Sequence, residues 1–207
     1  MKTILRSLAV LACAAGILEA QGGAAGAPPP QGRGGGGRGR GAVRVFTLSS
    51  PAFANGAGIP VAQAQPGRDI SPALVWSGAP DSVVSYALIV HDVSAPIGNG
   101  LDDLLHWMVW NIPGSATGIA EGQPQGGSLP DGSRQISATG PNYRGPAAPA
   151  TGPAHLYVFE LYALDATLDV PAVGAAPPAT RAAVMAAMAG HIRGKAVLAG
   201  TFRRQAP

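Results

Sequence analysis

Short apolar runs separated by stretches rich in glycine and proline recur along the chain from residue 43 onward. Residues 86–90 form an unbroken apolar run that ends at two polar residues, His91 and Asp92. Residues 106–111 form a second run, and apolar residues at every second position mark a third, His155–Leu164. Runs of this length, rich in β-branched and aromatic residues, are typical of strands. The pattern therefore predicts a mainly β domain.

Further elements flank these runs. Three more segments have strand character: residues 43–48, 71–80 and 195–202. Two prolines, an alanine- and methionine-rich stretch over residues 179–189 and then Gly190 predict a helix, because proline favours the first helical turn and glycine the position after the last. Residues 114–142 have few apolar anchors and are predicted to form an irregular surface loop. Asp102 and Asp103 are predicted to be a solvated loop pair.

Composition agrees with a β architecture. Charged residues make up only 12% of the 207 positions, whereas glycine and proline contribute 30 and 20. A chain so poor in charge and so rich in turn-forming residues favours loop-rich β structure over a helical bundle. Its length allows one domain of ordinary size with its own core. We expect this folded domain over residues 43–207.

The first twenty residues have the layout of a secretory signal peptide. Two basic residues precede an almost wholly apolar stretch over residues 8–18, and the small residue Ala20 marks the expected cleavage point. This stretch is shorter than the roughly twenty residues needed to span a bilayer. We therefore expect an exported protein, periplasmic or secreted. Residues 10–13, which end at Cys13, loosely resemble a lipoprotein processing box, so lipid attachment stays open as an alternative.

A segment made almost only of Gly, Ala, Pro, Gln and Arg follows over residues 21–42. It has too little apolar surface to offset the entropy cost of ordering, which predicts a flexible linker. The formal charge of the chain is +3; residues 1–20 contribute +1 and residues 21–42 contribute +3, so the rest carries −1. The main domain therefore gives no reason to expect nucleic acid as a partner, although arginine- and glycine-rich segments also occur as nucleic-acid-binding tails.

Four residues near the ends of the predicted strands can hold a charged ligand: Asp92, His106, His155 and Tyr157. Two imidazoles, a phenol and the backbone N–H groups of a loop rich in Gly and Pro suit an oxyanion such as phosphate. Taken singly, Asp92 also fits a turn acid, and each histidine fits a core residue with internal hydrogen bonds. Two histidines and a carboxylate are also the ligands of a facial metal triad, but a compact motif such as His-x-x-x-His is missing.

Two longer motifs contain these residues. The first runs from Asp92 through Ala95-Pro96 and a loop to His106-Trp107 and Asn111-Ile112-Pro113, and the second from Gly145-Pro146 through Pro149 and Gly152 to His155-Leu156-Tyr157. They resemble, in content and order, the two signatures of the phosphatidylethanolamine-binding protein family, in particular its bacterial branch similar to Raf kinase inhibitor. Matches to that branch continue in order over residues 43–204. The resemblance implies two packed antiparallel β-sheets with a few peripheral helices.

The resemblance also implies which residues form the ligand pocket. They are Asp92, His106, His155 and Tyr157, with Pro96 holding the turn after Asp92 rigid, and with Gly145 and Pro146 opening a loop that forms a wall. Ser94 replaces the second acid of the family pattern, and Leu156 replaces an arginine. The pocket is therefore expected to have one carboxylate fewer than in the family, which leaves open whether ethanolamine-bearing head groups are still preferred.

Together these observations predict a non-catalytic binding protein. The expected ligand is a phosphate-bearing or other small anionic molecule, a membrane surface or a protein is open as a further partner, and neither a metal ion nor another cofactor is expected. Family members that inhibit kinases and peptidases imply an alternative, which is inhibition or regulation of a partner protein. An enzyme using the same pocket is a third interpretation, although the chain has no Gly-x-Ser-x-Gly motif, no P-loop and no cysteine outside the leader.

Overall fold

The computed structural model describes residues 43–206, and the predicted leader and linker lie outside this range. The strands are β1 (Arg44–Val45), β2 (Thr47–Ser49), β3 (Leu74–Ser77), β4 (Ser85–Ile97), β5 (Asp102–Pro113), β6 (Gly118–Ile119), β7 (Arg134–Ile136), β8 (His155–Leu164) and β9 (Ile192–Phe202). A 3₁₀ helix covers Val61–Gln63, and the α-helix α1 covers Pro177–Met188. Within the described range, no helix has the length and apolar character needed to cross a membrane.

The strands form two sheets. The larger has six strands in the order β1-β9-β8-β4-β5-β7, and the smaller has three in the order β2-β3-β6. Every pairing between named strands is antiparallel except that of β1 with β9, which is parallel. The predicted mainly β fold with two packed sheets is thereby confirmed, and the parallel edge pair is a feature that the sequence did not predict.

Both faces of the large sheet are covered over residues 86–90 of β4, which explains why this part of the strand is apolar without a break. On one face Leu88 and Val90 lie in a core shared with Trp76 of the small sheet. On the other face Ile89 belongs to a second cluster that includes Val184 of α1. A strand covered on both sides has no polar face, so its sequence shows no alternation.

β8 has the bounds that the sequence predicted, and it keeps an alternation of buried and partly exposed residues. Tyr157, Phe159 and Leu161 face the core between the sheets and are buried, whereas Glu160 and Tyr162 on the opposite face are only partly covered. Successive side chains of a strand point to opposite faces, so the alternation records which face is packed. β8 therefore carries one set of side chains into the region between the sheets.

Other predicted boundaries differ from the structure. The first strand is divided, because β1 pairs in the large sheet and β2 in the small one, with the buried Phe46 between them. α1 begins at Pro177, with its prolines in the first turn as predicted, where no backbone N–H is required, and it ends at Met188 rather than at residue 189. β9 begins at Ile192 rather than residue 195. The predicted loop over residues 114–142 contains the short strands β6 and β7, which are too short to show a period.

Of the two acidic residues at the turn between β4 and β5, only Asp102 is solvated as predicted. Asp102 is exposed, but Asp103 accepts a hydrogen bond from Arg181 of α1 at 2.7 Å and another from His91 of β4. Burial raises the pKa of Asp103, but the hydrogen bonds from His91 and Arg181 lower it more, so this pKa lies below its usual value. Asp103 is therefore a link between α1 and the large sheet, not a solvated loop residue.

Candidate functional site

Strand pairing brings four of the predicted site residues together at one end of the large sheet. Asp92 of β4 lies directly opposite Tyr157 of β8. The other neighbour of β4 is β5, which carries His106. His155 lies two residues before Tyr157, so both belong to the same face of β8. That face packs toward the small sheet, and the four side chains therefore meet at the edge of the core.

These four residues line one pocket of about 180 Å³. The remaining lining residues are Gln65, Ala95, Leu104, Arg144, Ala147, Ala148 and Pro149. Three residues implied by the family resemblance, Pro96, Gly145 and Pro146, are not among the lining residues. The loop over residues 144–149 does form a wall, but it does so through Arg144 and the residues after Pro146.

Both carboxylate oxygens of Asp92 have partners. Oδ1 accepts the backbone N–H of Ser94 at 2.9 Å, and Oδ2 is 2.8 Å from Nδ1 of His155, which donates to it. The hydroxyl oxygen of Ser94 accepts the backbone N–H of Leu156 at 3.0 Å. Asp92 is the single acid among the lining residues. The hydrogen bond between Asp92 and His155 fixes the orientation of the His155 ring.

His106 is only 2% exposed and forms two hydrogen bonds with the backbone of Arg144, one as donor and one as acceptor. Its Nδ1–H donates to the Arg144 carbonyl at 2.8 Å, and the Arg144 N–H donates to the His106 carbonyl at 3.1 Å. Burial lowers the pKa of His106, and the hydrogen bond to the Arg144 carbonyl and the charge of Asp92 offset only part of this. The ring is therefore neutral at neutral pH, and its Nε2, buried without a hydrogen-bond partner among residues 43–206, is an acceptor.

The phenol of Tyr157 is fully buried and holds the wall of the pocket. Its oxygen accepts the backbone N–H groups of Ala147 and Ala148 at 3.3 and 3.2 Å. Burial, and after it the negative charge of Asp92, raise the pKa of Tyr157 to about 12. The phenol is neutral at any physiological pH. The sequence predicted that backbone N–H groups of this loop would face an oxyanion, but these two donate to Tyr157 instead.

Gly145 and Pro146 do not line the pocket but hold the loop in place through contacts with residues 63–69. The Gly145 N–H donates to the Asp69 carboxylate at 2.6 Å, and a Cβ at Gly145 would lie 2.2 Å from the backbone oxygen of Gln63. The Pro146 carbonyl accepts the backbone N–H of Gln65 at 3.0 Å. Only glycine fits so close to a neighbouring backbone. These contacts fix the path of the loop, and through it the position of Arg144.

Pro96 lies beyond an irregularity in the pairing of β4 with β5. The register shifts between Asp92 and Pro96, and Pro96 then pairs with Asp103 near the turn. Such an irregularity bends a strand and redirects its side chains. Pro96 therefore belongs to the bend that follows Asp92, which agrees with the predicted rigid turn, while the side chain itself is not at the pocket surface.

The sequence analysis missed Arg144 and Gln65. Arg144 lines the pocket, and its positive charge acts on the His106 ring. Its guanidinium has no ion pair or hydrogen bond within the part of the chain that the structure describes. Gln65 donates its side-chain N–H to the Gly145 carbonyl at 2.8 Å. Arg144 was detectable as the residue directly before the second motif, whereas Gln65 lies in a turn-rich segment with no signal of its own.

The pocket residues do not form a metal site. Over residues 43–206, no three His, Cys, Asp or Glu side chains are grouped so that they could hold a metal ion.

A larger cavity of about 410 Å³ lies between α1 and the turn after β4, and we call it the α1 cavity. Its walls are mostly apolar and include Leu105, Pro177 and Met185. Buried polar groups converge in the smaller pocket, which is therefore the candidate site.

Fold and pocket together define a two-sheet β protein with a small polar pocket at one end of its strands. The family model described as phosphatidylethanolamine-binding protein matches residues 49–203. The UPF0098 protein of Methanothermobacter thermautotrophicus is 41% identical over 159 residues, which cover 76% of this chain and 98% of that protein. The chain therefore belongs to the phosphatidylethanolamine-binding protein family, as the sequence motifs predicted.

Two further relatives agree with this assignment. A Mycobacterium tuberculosis protein named "Putative lipoprotein LppC" is 39% identical over 164 residues, which cover 78% of this chain and 74% of that protein. The crystal structure of CT736 from Chlamydia trachomatis matches with a TM-score of 0.66 at 31% identity, covering 78% of this chain and 99% of that one. The similarity therefore extends over most of the two-sheet domain.

Proposed function

We propose that the protein binds a phosphate-bearing or other small anionic ligand in this pocket without transforming it. The observation that carries the proposal is Arg144, which lines the pocket together with His106 and His155 and whose guanidinium has no hydrogen-bond or ion-pair partner in the described range. Arginine binds phosphate and carboxylate oxygens through pairs of N–H donors, and such charge-assisted hydrogen bonds are among the strong ones. Membership of the family supports a binding or regulatory role in general.

The size of the pocket favours a head group or a free anion over a whole lipid. Its volume of about 180 Å³ is below the roughly 300–1,000 Å³ of pockets that enclose drug-sized ligands. Asp92 is the one carboxylate available for an ammonium group, and both of its oxygens already accept hydrogen bonds. We therefore propose that the anionic end of the ligand provides most of the affinity.

The chemistry of the lining residues supports binding without catalysis. No Ser, Thr, Cys or Lys is among them, and Asp92 is held by two donors. The raised pKa of Tyr157 keeps its phenol protonated. Covalent catalysis requires an activated nucleophile that can approach the substrate. The pocket offers no serine, threonine, cysteine or lysine for this role, and we propose a binding protein without enzymatic activity or cofactor.

We also propose that the protein is exported. The leader-like layout of residues 1–20 supports this, and so does the mycobacterial relative, whose name describes a lipoprotein. An exported protein with this pocket would meet phosphate-bearing head groups at a membrane surface and small anions in solution. Regulation of a partner protein is the alternative that a failure to bind small anions would favour.

The test is a titration of the purified protein with O-phosphorylethanolamine, inorganic phosphate and ethanolamine, followed by the NMR signals of the histidine rings. We expect saturable shifts of His106 and His155 with both phosphate compounds and none with ethanolamine, because the site recognises the anionic end. His155→Ala should weaken the response. The ratio of the two phosphate affinities reports whether the head-group preference persists with Ser94 in place of the second acid.

His191 provides an internal control for this titration. It is exposed, and its ring bonds to Asp165, just beyond the end of β8 that lies away from His155. Its signal should not move. A response to ethanolamine alone, or no saturable shift of His106 at millimolar phosphate, would contradict the proposed function.

A further inference from the structure

The α1 cavity and the pocket proposed for the anion lie on opposite faces of the large sheet. Leu105, which belongs to the core cluster under α1, lines the α1 cavity, whereas its neighbours Leu104 and His106 line the pocket. Successive residues of a strand point to opposite faces. The α1 cavity, at about 410 Å³, falls within the roughly 300–1,000 Å³ that is typical of small-molecule sites. It is therefore a separate candidate site, and the proposed function does not use it.

One side of α1 forms an apolar wall of the cavity. Pro178, Ala182 and Met185 are spaced at i, i+4 and i+7, so they share one side of the helix. Val184 and Met188 lie on another side, where they are buried in the cluster against the large sheet. Met185, by contrast, is 49% exposed. α1 thus has a second apolar side, and a ligand that covered it would remove apolar surface from water, which is favourable.

The charged residues of the lining leave one negative charge uncompensated. The two Nη atoms of Arg181 donate to the carbonyl and carboxylate oxygens of Asp103 at 3.0 and 2.7 Å, so these two charges offset each other. The same hydrogen bonds hold α1 against the turn after β4. Asp102 is the remaining charged residue of the lining, and its carboxylate has no hydrogen bond or ion pair within residues 43–206. The lining therefore has a net charge of −1.

This charge distribution makes the cavity unsuitable for an anion. Asp102 repels an anion wherever its carboxylate points, because the Coulomb energy depends on distance. Anions often bind to free N–H groups at the start of a helix, but α1 begins with Pro177 and Pro178, which have none. Arg181, the single cation among the lining residues, already donates from both Nη atoms to Asp103. The cavity therefore favours a ligand with one positive charge.

We propose that the α1 cavity is a second binding site, which takes a small apolar molecule with one positive charge, namely an aliphatic ammonium ion. Its hydrocarbon chain contacts Leu105, Ala182 and Met185, and its ammonium group lies near Asp102. This site does not depend on the proposed function, because it lies on the other face of the sheet and takes a ligand of opposite charge. Binding forms and breaks no covalent bond.

Octylammonium, octanol and octanoate test this proposal, because they share a hydrocarbon chain and differ in the charge of the head group. An NMR titration of the full chain at neutral pH follows the methyl signal of Met185 in protein with isotope-labelled methionine. We expect saturable shifts with octylammonium, at an affinity roughly three- to fivefold higher than that of octanol, which is the value of an exposed ion pair. Octanoate should bind more weakly than octanol.

Two results of this titration would overturn the proposal. Equal affinities for octylammonium and octanoate would show that the cavity does not select positive charge. The absence of a saturable Met185 shift with millimolar octylammonium would show that the cavity is not a site for this ligand. Neither result bears on the binding of O-phosphorylethanolamine, which is followed through the signal of His155 on the other face of the sheet.

Asp102→Asn tests the origin of the charge preference, because it removes the charge and keeps the size of the side chain. The variant should bind octylammonium only as tightly as the wild type binds octanol, and its affinity for octanol should be unchanged. Asp81→Asn is the matched control, since Asp81 is exposed before the start of β4 and Asp102 follows the end of that strand. Equal losses in both variants, or no loss in Asp102→Asn, would overturn the role of Asp102.

Ala182→Phe tests the location of the site by filling the cavity from α1. We expect it to lower the affinity for octylammonium by roughly tenfold or more, since the ring takes the space of the hydrocarbon chain. Binding of O-phosphorylethanolamine should be unchanged. Ala183→Phe places the same ring at an exposed position outside the lining, and it should change neither affinity. Wild-type octylammonium affinity in a folded Ala182→Phe variant would show that the ligand binds elsewhere and would overturn the proposal.

Discussion

Replacing Arg144 by methionine is expected to weaken binding of O-phosphorylethanolamine by roughly 10- to 100-fold while leaving the fold intact. Methionine keeps an apolar stem of similar length but removes the charge and the N–H donors. A hydrogen bond to a charged group contributes about 1.5–3 kcal/mol, and each 1.4 kcal/mol, roughly, is a tenfold change in affinity. Calorimetric titration gives the dissociation constant, and thermal unfolding of the same sample shows whether the fold is retained.

Arg44→Met is the matched control for this experiment. Arg44 is exposed on β1 and pairs with Gly194, at the opposite end of β9 from the segment that pairs with His155. The control removes the same bulk charge without touching the pocket, and its affinity should equal that of the wild type. Equal losses in both variants would show that only net charge matters, and an unchanged affinity in Arg144→Met would remove the guanidinium from the binding site.

Gly145→Ala is expected to lower both stability and ligand affinity. The added Cβ would lie 2.2 Å from the Gln63 backbone oxygen and 2.6 Å from the Asp69 carboxylate, so the loop must move. Inserting an atom into a closely packed site costs about 1–3 kcal/mol, which corresponds to roughly 2–4 °C in Tm per kcal/mol for a chain of this size. Because Arg144 precedes Gly145, the same movement displaces the guanidinium. Thermal unfolding and calorimetric titration measure the two effects.

Gly58→Ala is the control for the glycine substitution. No heavy atom lies within 4 Å of a Cβ built at Gly58, and its φ is not in the left-handed region. The control should keep wild-type stability and affinity. A Gly145→Ala variant that matches Gly58→Ala in both properties would show that the loop adapts easily and does not position Arg144.

The fold was largely predictable because most of its strands carry the signal that their packing requires. β8 has one well-packed face and alternates, whereas residues 86–90 of β4 are packed on both faces and are all apolar. The weak points were elements without such a signal. β6 and β7 have two and three residues, which is too short for a period. The division of the first strand at Phe46 depends on two different sheets, and no local pattern records that.

The residues of the candidate site that lie within the two sequence motifs were predictable. Asp92, His106, His155 and Tyr157 lie in one pocket because antiparallel pairing of β4 with β5 and β8 places the ends of these strands together. The direction of each hydrogen bond was not predictable. That the N–H groups of residues 147 and 148 donate to Tyr157 depends on the path of a loop, and motif spacing does not specify a path.

The place of Arg144 in the pocket was also not predictable from the motifs. It precedes the second motif in a segment that was predicted only as loop, and its place in the pocket follows from two backbone hydrogen bonds with His106. Such contacts join segments 38 residues apart. The sequence provides the arginine, but only the packed structure shows that Arg144 lines the pocket.

A crystal structure of the full chain with O-phosphorylethanolamine tests the proposed binding site most directly. We expect the phosphorus atom to lie in the pocket beside Arg144 and His155, with its oxygens within hydrogen-bond distance of the Arg144 guanidinium, and with the α1 cavity free of ligand. A ligand bound in the α1 cavity instead, or bound at neither place at a saturating concentration, would contradict the assignment of this pocket.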